Sequence, residues 1–89
     1  MEIDTVISAR QHLDRLRTEL EQRGWKAVHH GTDGRPLLHV LNPLDLNLNE
    51  TVTVVAGRFS WNWGPDLGHV DDVRAITDRI VHVLRLVGT

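Results

Sequence analysis

Hydrophobic positions recur along this chain with two periods. From Asp4 to Arg23, Val6, Ala9, Leu13, Leu16 and Leu20 follow one another at alternating spacings of three and four, one stripe of an amphipathic helix. Asp4 or Thr5 can cap its start and Gly24 can end it. The opposite face carries Arg10/Asp14, Arg15/Glu19, Arg17/Glu21 and Glu19/Arg23 at i,i+4, the pattern of a solvated surface with ordinary charge balance.

The period then shortens to two. Trp25 to His30 and Pro36 to Leu41 read as strands joined through Gly31-Thr32-Asp33-Gly34, with Asp33-Gly34 as a type I′ turn. That turn sets position 28 opposite 39 and 30 opposite 37, so Val28, His30, Leu37 and His39 share one face. Trp25, Ala27, His29, Leu38 and Val40 share the other, more apolar face. From Asn42 to Glu50, Leu44, Leu46 and Leu48 alternate with polar residues, but Pro43 and the asparagines favour a loop. The reading is a loop that tucks some of its leucines inward, the alternative being a docking strip of exposed leucines.

Thr51 to Ala56 and Arg58 to Trp63 form the clearest hairpin. With Gly57-Arg58 as a II′ turn, 56 pairs with 59, 54 with 61 and 52 with 63. Val52, Val54, Ala56, Phe59, Trp61 and Trp63 then make an apolar face opposite Thr53, Val55, Ser60 and Asn62. After Gly64-Pro65 a second helix is predicted from Asp71, capped by that residue and stapled by Val70 and Ala75. Its stripe is Val73, Ile76, Ile80, Leu84 and Val87, with Gly88 closing it. Six of the eight residues from Ile80 to Val87 are apolar, more than one flat contact needs. Val81 and Leu86 lie off the stripe and call for a second surface, either the first helix or another subunit.

The predicted fold is α+β, a two-layer sandwich in which a four-stranded antiparallel meander carries an N-terminal and a C-terminal helix on its aromatic face, in the order α-β-β-β-β-α. Residues 1–89 suit a single domain.

Composition removes function classes more than it adds them. Without cysteine there is no disulfide, thiolate metal site or thiol chemistry. No apolar run approaches a membrane span and no leader pattern opens the chain, so a cytoplasmic setting is expected. Ten basic against twelve acidic residues leave a net charge of −2, whereas duplex binding draws on a basic excess. Direct nucleic-acid binding is therefore not expected. Nine of the ten cations are arginine, scattered along the chain, a trait of GC-rich coding and not of phosphate recognition.

The candidate chemistry is sparse. His29 and His30 are strand neighbours and point to opposite faces, so the histidines read as surface residues and no metal or cofactor is expected, the alternative being His30 and His39 completed by a carboxylate. Ser8 and Ser60 lack a nucleophile elbow, Asp71-Asp72 suits a helix start, and Pro65 removes an amide that a phosphate loop would need. No catalytic residues emerge. Trp61 and Trp63 read as core aromatics, the alternative being a stacking platform for a flat ligand or single strand.

The run Trp61-x-Trp63-Gly64-x-x-Leu67-Gly68-x-Val70-Asp71-Asp72-Val73, with the apolar helix after it, resembles small hypothetical proteins common in actinobacteria. The resemblance covers the second half of the chain and implies a bacterial cytoplasmic setting, with no activity attached.

These readings lead to an expected non-enzymatic protein–protein interaction or regulatory accessory module, homodimeric or bound to another protein. Its candidate interface combines Lys26, Val28, His30, His39, Val55, Ser60 and Asn62 on the open sheet face with Val81 and Leu86 on the last helix. The alternative is a small-ligand or anion-binding turn at Trp63, Asp66 and His69. A third reading is an accessory subunit of a DNA-binding regulator.

Overall fold

The stripe of leucines near the amino terminus forms helix α1, Glu2–Gln22, and the chain then folds into β1 (Lys26–Thr32), β2 (Arg35–Asn42), β3 (Asp45–Val55), β4 (Arg58–Trp61), β5 (Asp66–His69) and helix α2 (Val73–Leu86). This computed structural model describes residues 2–32 and 34–86, with side chains from 9 to 32 and from 34 to 85. The strands make one antiparallel sheet in the order β1-β2-β3-β4-β5. The expected α+β class and antiparallel meander stand, with five strands where four were predicted.

Leu13, Leu16 and Leu20 of α1 are fully buried, and they share one core with Leu38 and Val40 of β2, Val52, Phe59 and Trp61 of the central strands, and Ile76, Ile80 and Leu84 of α2. Both helices thus cover the same sheet face. Gly24, at φ +82°, ends α1 while the Trp25 amide returns to the Leu20 carbonyl at 3.0 Å. The side chains of Val6 and Leu86, and the whole of Val87 and Gly88, lie outside the described residues.

The first hairpin has the predicted register, with Val28 opposite His39 and His30 opposite Leu37. The predicted loop at Asn42–Glu50 does not exist as such. Asn42 ends β2 and Asp45 begins β3, leaving only Pro43 and Leu44 as a turn. The asparagines that argued for a loop instead brace a bulge, because Leu41 pairs with Asn49 and Asn42 with Asp45, leaving residues 46–48 as the excess.

The second hairpin turns at Ala56-Gly57, not Gly57-Arg58. Both residues have positive φ, +51° and +76°, the signature of a type I′ turn. Val55 therefore faces Arg58, Val54 faces Phe59, and Val52 faces Trp61. The shift is two residues, so side-chain parity survives while the strand loses its last predicted pair. Trp61 takes the place opposite Val52, and Trp63 leaves the sheet.

A turn follows at once, with the Gly64 amide on the Trp61 carbonyl at 3.0 Å and the Trp61 amide on the Pro65 carbonyl at 2.9 Å. It feeds the unpredicted strand β5, which pairs Arg58 with His69 and Phe59 with Gly68. Gly68 has φ +139°, and a Cβ there would sit 3.4 Å from Ile76 Cγ1, so α2 lies close on β5 where glycine leaves room. Arg79 Nη1 donates to the Leu67 carbonyl at 2.7 Å and holds that contact.

Helix α2 starts later than predicted. The Ile76 amide donates to the Asp72 carbonyl at 2.9 Å, which makes Asp72 the cap position and leaves Asp71 outside. Ala75 is exposed, so the predicted staple with buried Val70 is absent. Val81 is buried in the common core, so of the two surfaces anticipated for the off-stripe residues, this one is met within the chain. Arg23, at the end of α1, bonds Asp78 of α2.

Candidate functional site

Burial of most apolar side chains leaves a few large ones outside, and several gather at one end of the sheet. Leu44 is 95% exposed, Leu46 51% and Trp63 65%. At that end a cavity of about 250 Å³ is lined by Leu48, Trp61, Trp63, Val83 and Leu84 together with Asn47, Asn49 and Glu50. Of the exposed apolar residues, Trp63 and Val83 are also part of that lining, while Leu44 and Leu46 lie on the hairpin segment just before it.

Each part of this corner is positioned by an identifiable bond. Buried Asn42 accepts the Leu44 amide on Oδ1 at 2.8 Å, an Asx turn that fixes the tip of the β2–β3 hairpin, and its Nδ2 reaches the Leu84 carbonyl of α2 at 3.4 Å. In the bulge, Asp45 Oδ1 accepts the Asn47 amide at 3.0 Å. Asn49 Nδ2 donates to the carbonyls of Leu46 and Asn47 at 3.0 and 3.2 Å, and Asn49 Oδ1 meets His39 Nε2 at 2.9 Å. These side chains occupy backbone groups that an incoming strand would use.

A larger trough of about 610 Å³ lies between α1 and the start of α2, lined by Arg15, Thr18, Glu19 and residues 71–75. Three carboxylates there stand against two guanidinium groups, and Val73 and Ala75 are its only apolar side chains. Its charges nearly cancel, leaving one net negative charge, and Val73 is half-buried against the core. Near it, the His12 imidazole is held below its ordinary 6.5, first by burial and then by Arg15, and its Nδ1 is buried with no partner among the described residues.

The sequence-derived sites are dispersed. Lys26, Val28, His30, His39, Val55 and Ser60 lie on the open sheet face, where the His30 and His39 rings meet edge-on at 5.4 Å between centroids. Asn62 accepts Arg35 Nη2 at 3.4 Å. Val81 is not available at a surface, since it is buried. In the proposed ligand turn, each residue has a different neighbour. Trp63 lines the apolar cavity, Asp66 is gripped by Arg58 through Nε at 2.8 Å and Nη2 at 2.9 Å, and His69 Nδ1 is 3.4 Å from Asp71. The Arg58 guanidinium holds the Asp66 carboxyl below its usual range, a negative charge where an anion site would want none.

Among the described residues no group of three His, Asp or Glu side chains is arranged to hold a metal ion, and no helix is long and apolar enough to cross a membrane. Sequence reasoning placed Trp63 in the core and did not find Val83. The alternation of Leu44, Leu46 and Leu48 was the available signal for an extended segment, which the loop reading set aside. No protein-family model, curated protein or solved structure matches the chain. Fold and site together define a small α+β protein with two helices on one face of an antiparallel sheet and an apolar corner at the sheet end.

Proposed function

We propose that this protein is a non-enzymatic interaction module that takes a segment of another protein at the Leu44–Trp63 corner. The observation that carries this reading is Trp63, a large aromatic left 65% exposed beside an apolar cavity that its neighbour Trp61 helps to line. Tryptophan is enriched among residues that dominate binding energy, because its burial on docking removes a large apolar surface from water. The cavity of about 250 Å³ falls below the roughly 300–1,000 Å³ of small-molecule pockets, so it suits one apolar anchor side chain of a partner. Asn47, Asn49 and Glu50 in the lining favour amide groups or a cation flanking that anchor.

A displayed library of random peptides selected against the full chain tests this. Trp25 and Trp61 are buried, so iodide quenching of tryptophan emission reports chiefly on Trp63. Selected peptides should carry an apolar anchor, shield Trp63 from iodide, and lose about tenfold or more in affinity for Trp63→Ala and Leu44→Asp. A library without binders, or binders indifferent to both substitutions, overturns the reading.

A further inference from the structure

The far edge of the sheet presents a different surface. Among the described residues strand β1 has a neighbour only on the β2 side, and its pairing runs without a shift from Lys26–Leu41 to Thr32–Arg35. Its straight part is Lys26–His30, since Gly31 turns to φ +85°. Natural edges are blunted by proline, bulges or charge, and this stretch has only Lys26 at one end. Helix α1 packs over β1 and β2 alike, with Asp14 Oδ1 3.2 Å from His29 Nε2. The row Arg10, Asp14, Arg17, Glu21 therefore runs along α1 beside the same edge, and within the chain Arg17 bridges Asp14 at 3.2 Å and Glu21 at 3.8 Å.

We propose that this edge is a self-complementary interface, and that a second copy of the chain docks on it across a two-fold axis through Val28, joining β1 to β1 and laying α1 antiparallel to α1. The charge row carries the choice of occupant. Its signs run plus, minus, plus, minus, so an antiparallel copy sets Arg10 against Glu21 and Asp14 against Arg17 on both sides of the axis, a match an isologous dimer requires.

Three features locate the axis independently. The charge row is centred between Arg15 and Leu16, one and a half residues beyond Asp14, or about 2 Å along the helix. Because α1 turns back into β1 at Gly24, that step runs from His29 toward Lys26 by about two-thirds of a strand residue. It lands at Val28. The straight part of the edge, Lys26–His30, is also centred on Val28, and Val28 is itself half exposed. In this register the outward amides and carbonyls of Ala27 and His29 pair with those of the copy, while Val28 meets Val28. With strands about 4.8 Å apart and α1 midway over β1 and β2, the two α1 axes stand about 10 Å apart, at the packing distance of neighbouring helices.

The interface is separate from the Leu44–Trp63 corner, so Trp63→Ala should leave it unchanged and either proposal can fail alone. The chain has no cysteine, which makes cross-linking clean. Under mild oxidation Val28→Cys should give a disulfide dimer, because Cα atoms facing across such a pair are about 4.5 Å apart, within disulfide reach. Lys26→Cys should remain uncross-linked, its two copies standing about 13 Å apart in this register. Sedimentation should show a dimer for the native chain. Arg17→Asp should weaken it about tenfold or more by setting like charges together, and Asp14→Arg with Arg17→Asp should restore it, with thermal melting confirming that each variant folds. A native monomer at 100 μM, Lys26→Cys cross-linking as readily as Val28→Cys, or a charge swap that fails to restore assembly overturns the proposal.

Discussion

Trp61 and Trp63 are two residues apart, have the same parity and follow the same hairpin, yet one is 5% exposed and the other 65%. Trp61 is the last residue of β4, where it faces Val52 and joins the core under α2. Trp63 stands past the turn that the Gly64 amide closes on the Trp61 carbonyl. Parity predicts which face a side chain takes only while the chain remains a strand, and here a turn one step earlier ended the strand two residues sooner. The same indole chemistry consequently stabilises the fold at one position and is left largely to solvent at the other.

The contrast is broken most severely at Trp61. Trp61→Ala should cost about 3–5 kcal/mol in urea unfolding, as large-to-small changes in a packed core do, whereas Trp63→Ala should stay within about 0.5 kcal/mol. Equal costs would mean that Trp63 is packed after all. Next in size is Asn42→Ala, which frees the Leu44 amide and the hairpin tip. A loss of about 1–2 kcal/mol is expected for that buried polar group, together with weaker binding at the corner while Trp61 stays buried by emission wavelength.

The turn that separates the two tryptophans can be sharpened instead. Ala56 holds φ +51° at a cost, and Ala56→Asn supplies the favoured Asn-Gly pair of a type I′ turn. A gain of about 0.5–1 kcal/mol in the same titration is expected. Were the turn at Gly57-Arg58, no gain would follow.

The smallest expected effect is that of pH, and it acts on the α1 side of the core. His12 titrates below 6.5 in the fold because burial disfavours its cation, so between that folded value and 6.5 the unfolded chain takes up a proton that the fold excludes. Stability should be complete above 6.5 and decline as pH falls below it. Asp14, held below its usual 3.8 first by the hydrogen bond from His29, adds a loss at more acid pH, as its carboxylate is protonated in turn. Denaturant midpoints at pH 7.5 and 5.5 should differ less in His12→Leu than in the native chain. An unchanged difference would remove His12 from the account.

Most of the layer structure was legible because it depends on short-range periodicity. The α1 stripe, the β1–β2 register and the one-sided valines and aromatics of β3 and β4 each follow from spacing and a local turn pair. What escaped depended on long-range partners. Asn42–Glu50 carries loop-like residues, but Asn42, Asp45, Asn47 and Asn49 find hydrogen-bond partners within the hairpin and on α2, which lets a polar stretch continue as strand and bulge. Strand β5 has four residues with a glycine inside, too short to show a period, and exists because β4 offers an edge and α2 can lie close over Gly68.

By itself the sequence determined the class of fold, the faces of the strands and the lack of cysteine chemistry, all consequences of which residues are apolar and how far apart they fall. Only the tertiary structure decided where the second hairpin turns, because local rules favour Gly57-Arg58, whereas the observed Ala56-Gly57 turn puts an alanine at positive φ and keeps the same parity. The observed pairing sets Trp61 opposite Val52 in the core and β5 on the other edge of β4, long-range contacts that no local turn rule encodes. That choice placed Trp63 outside.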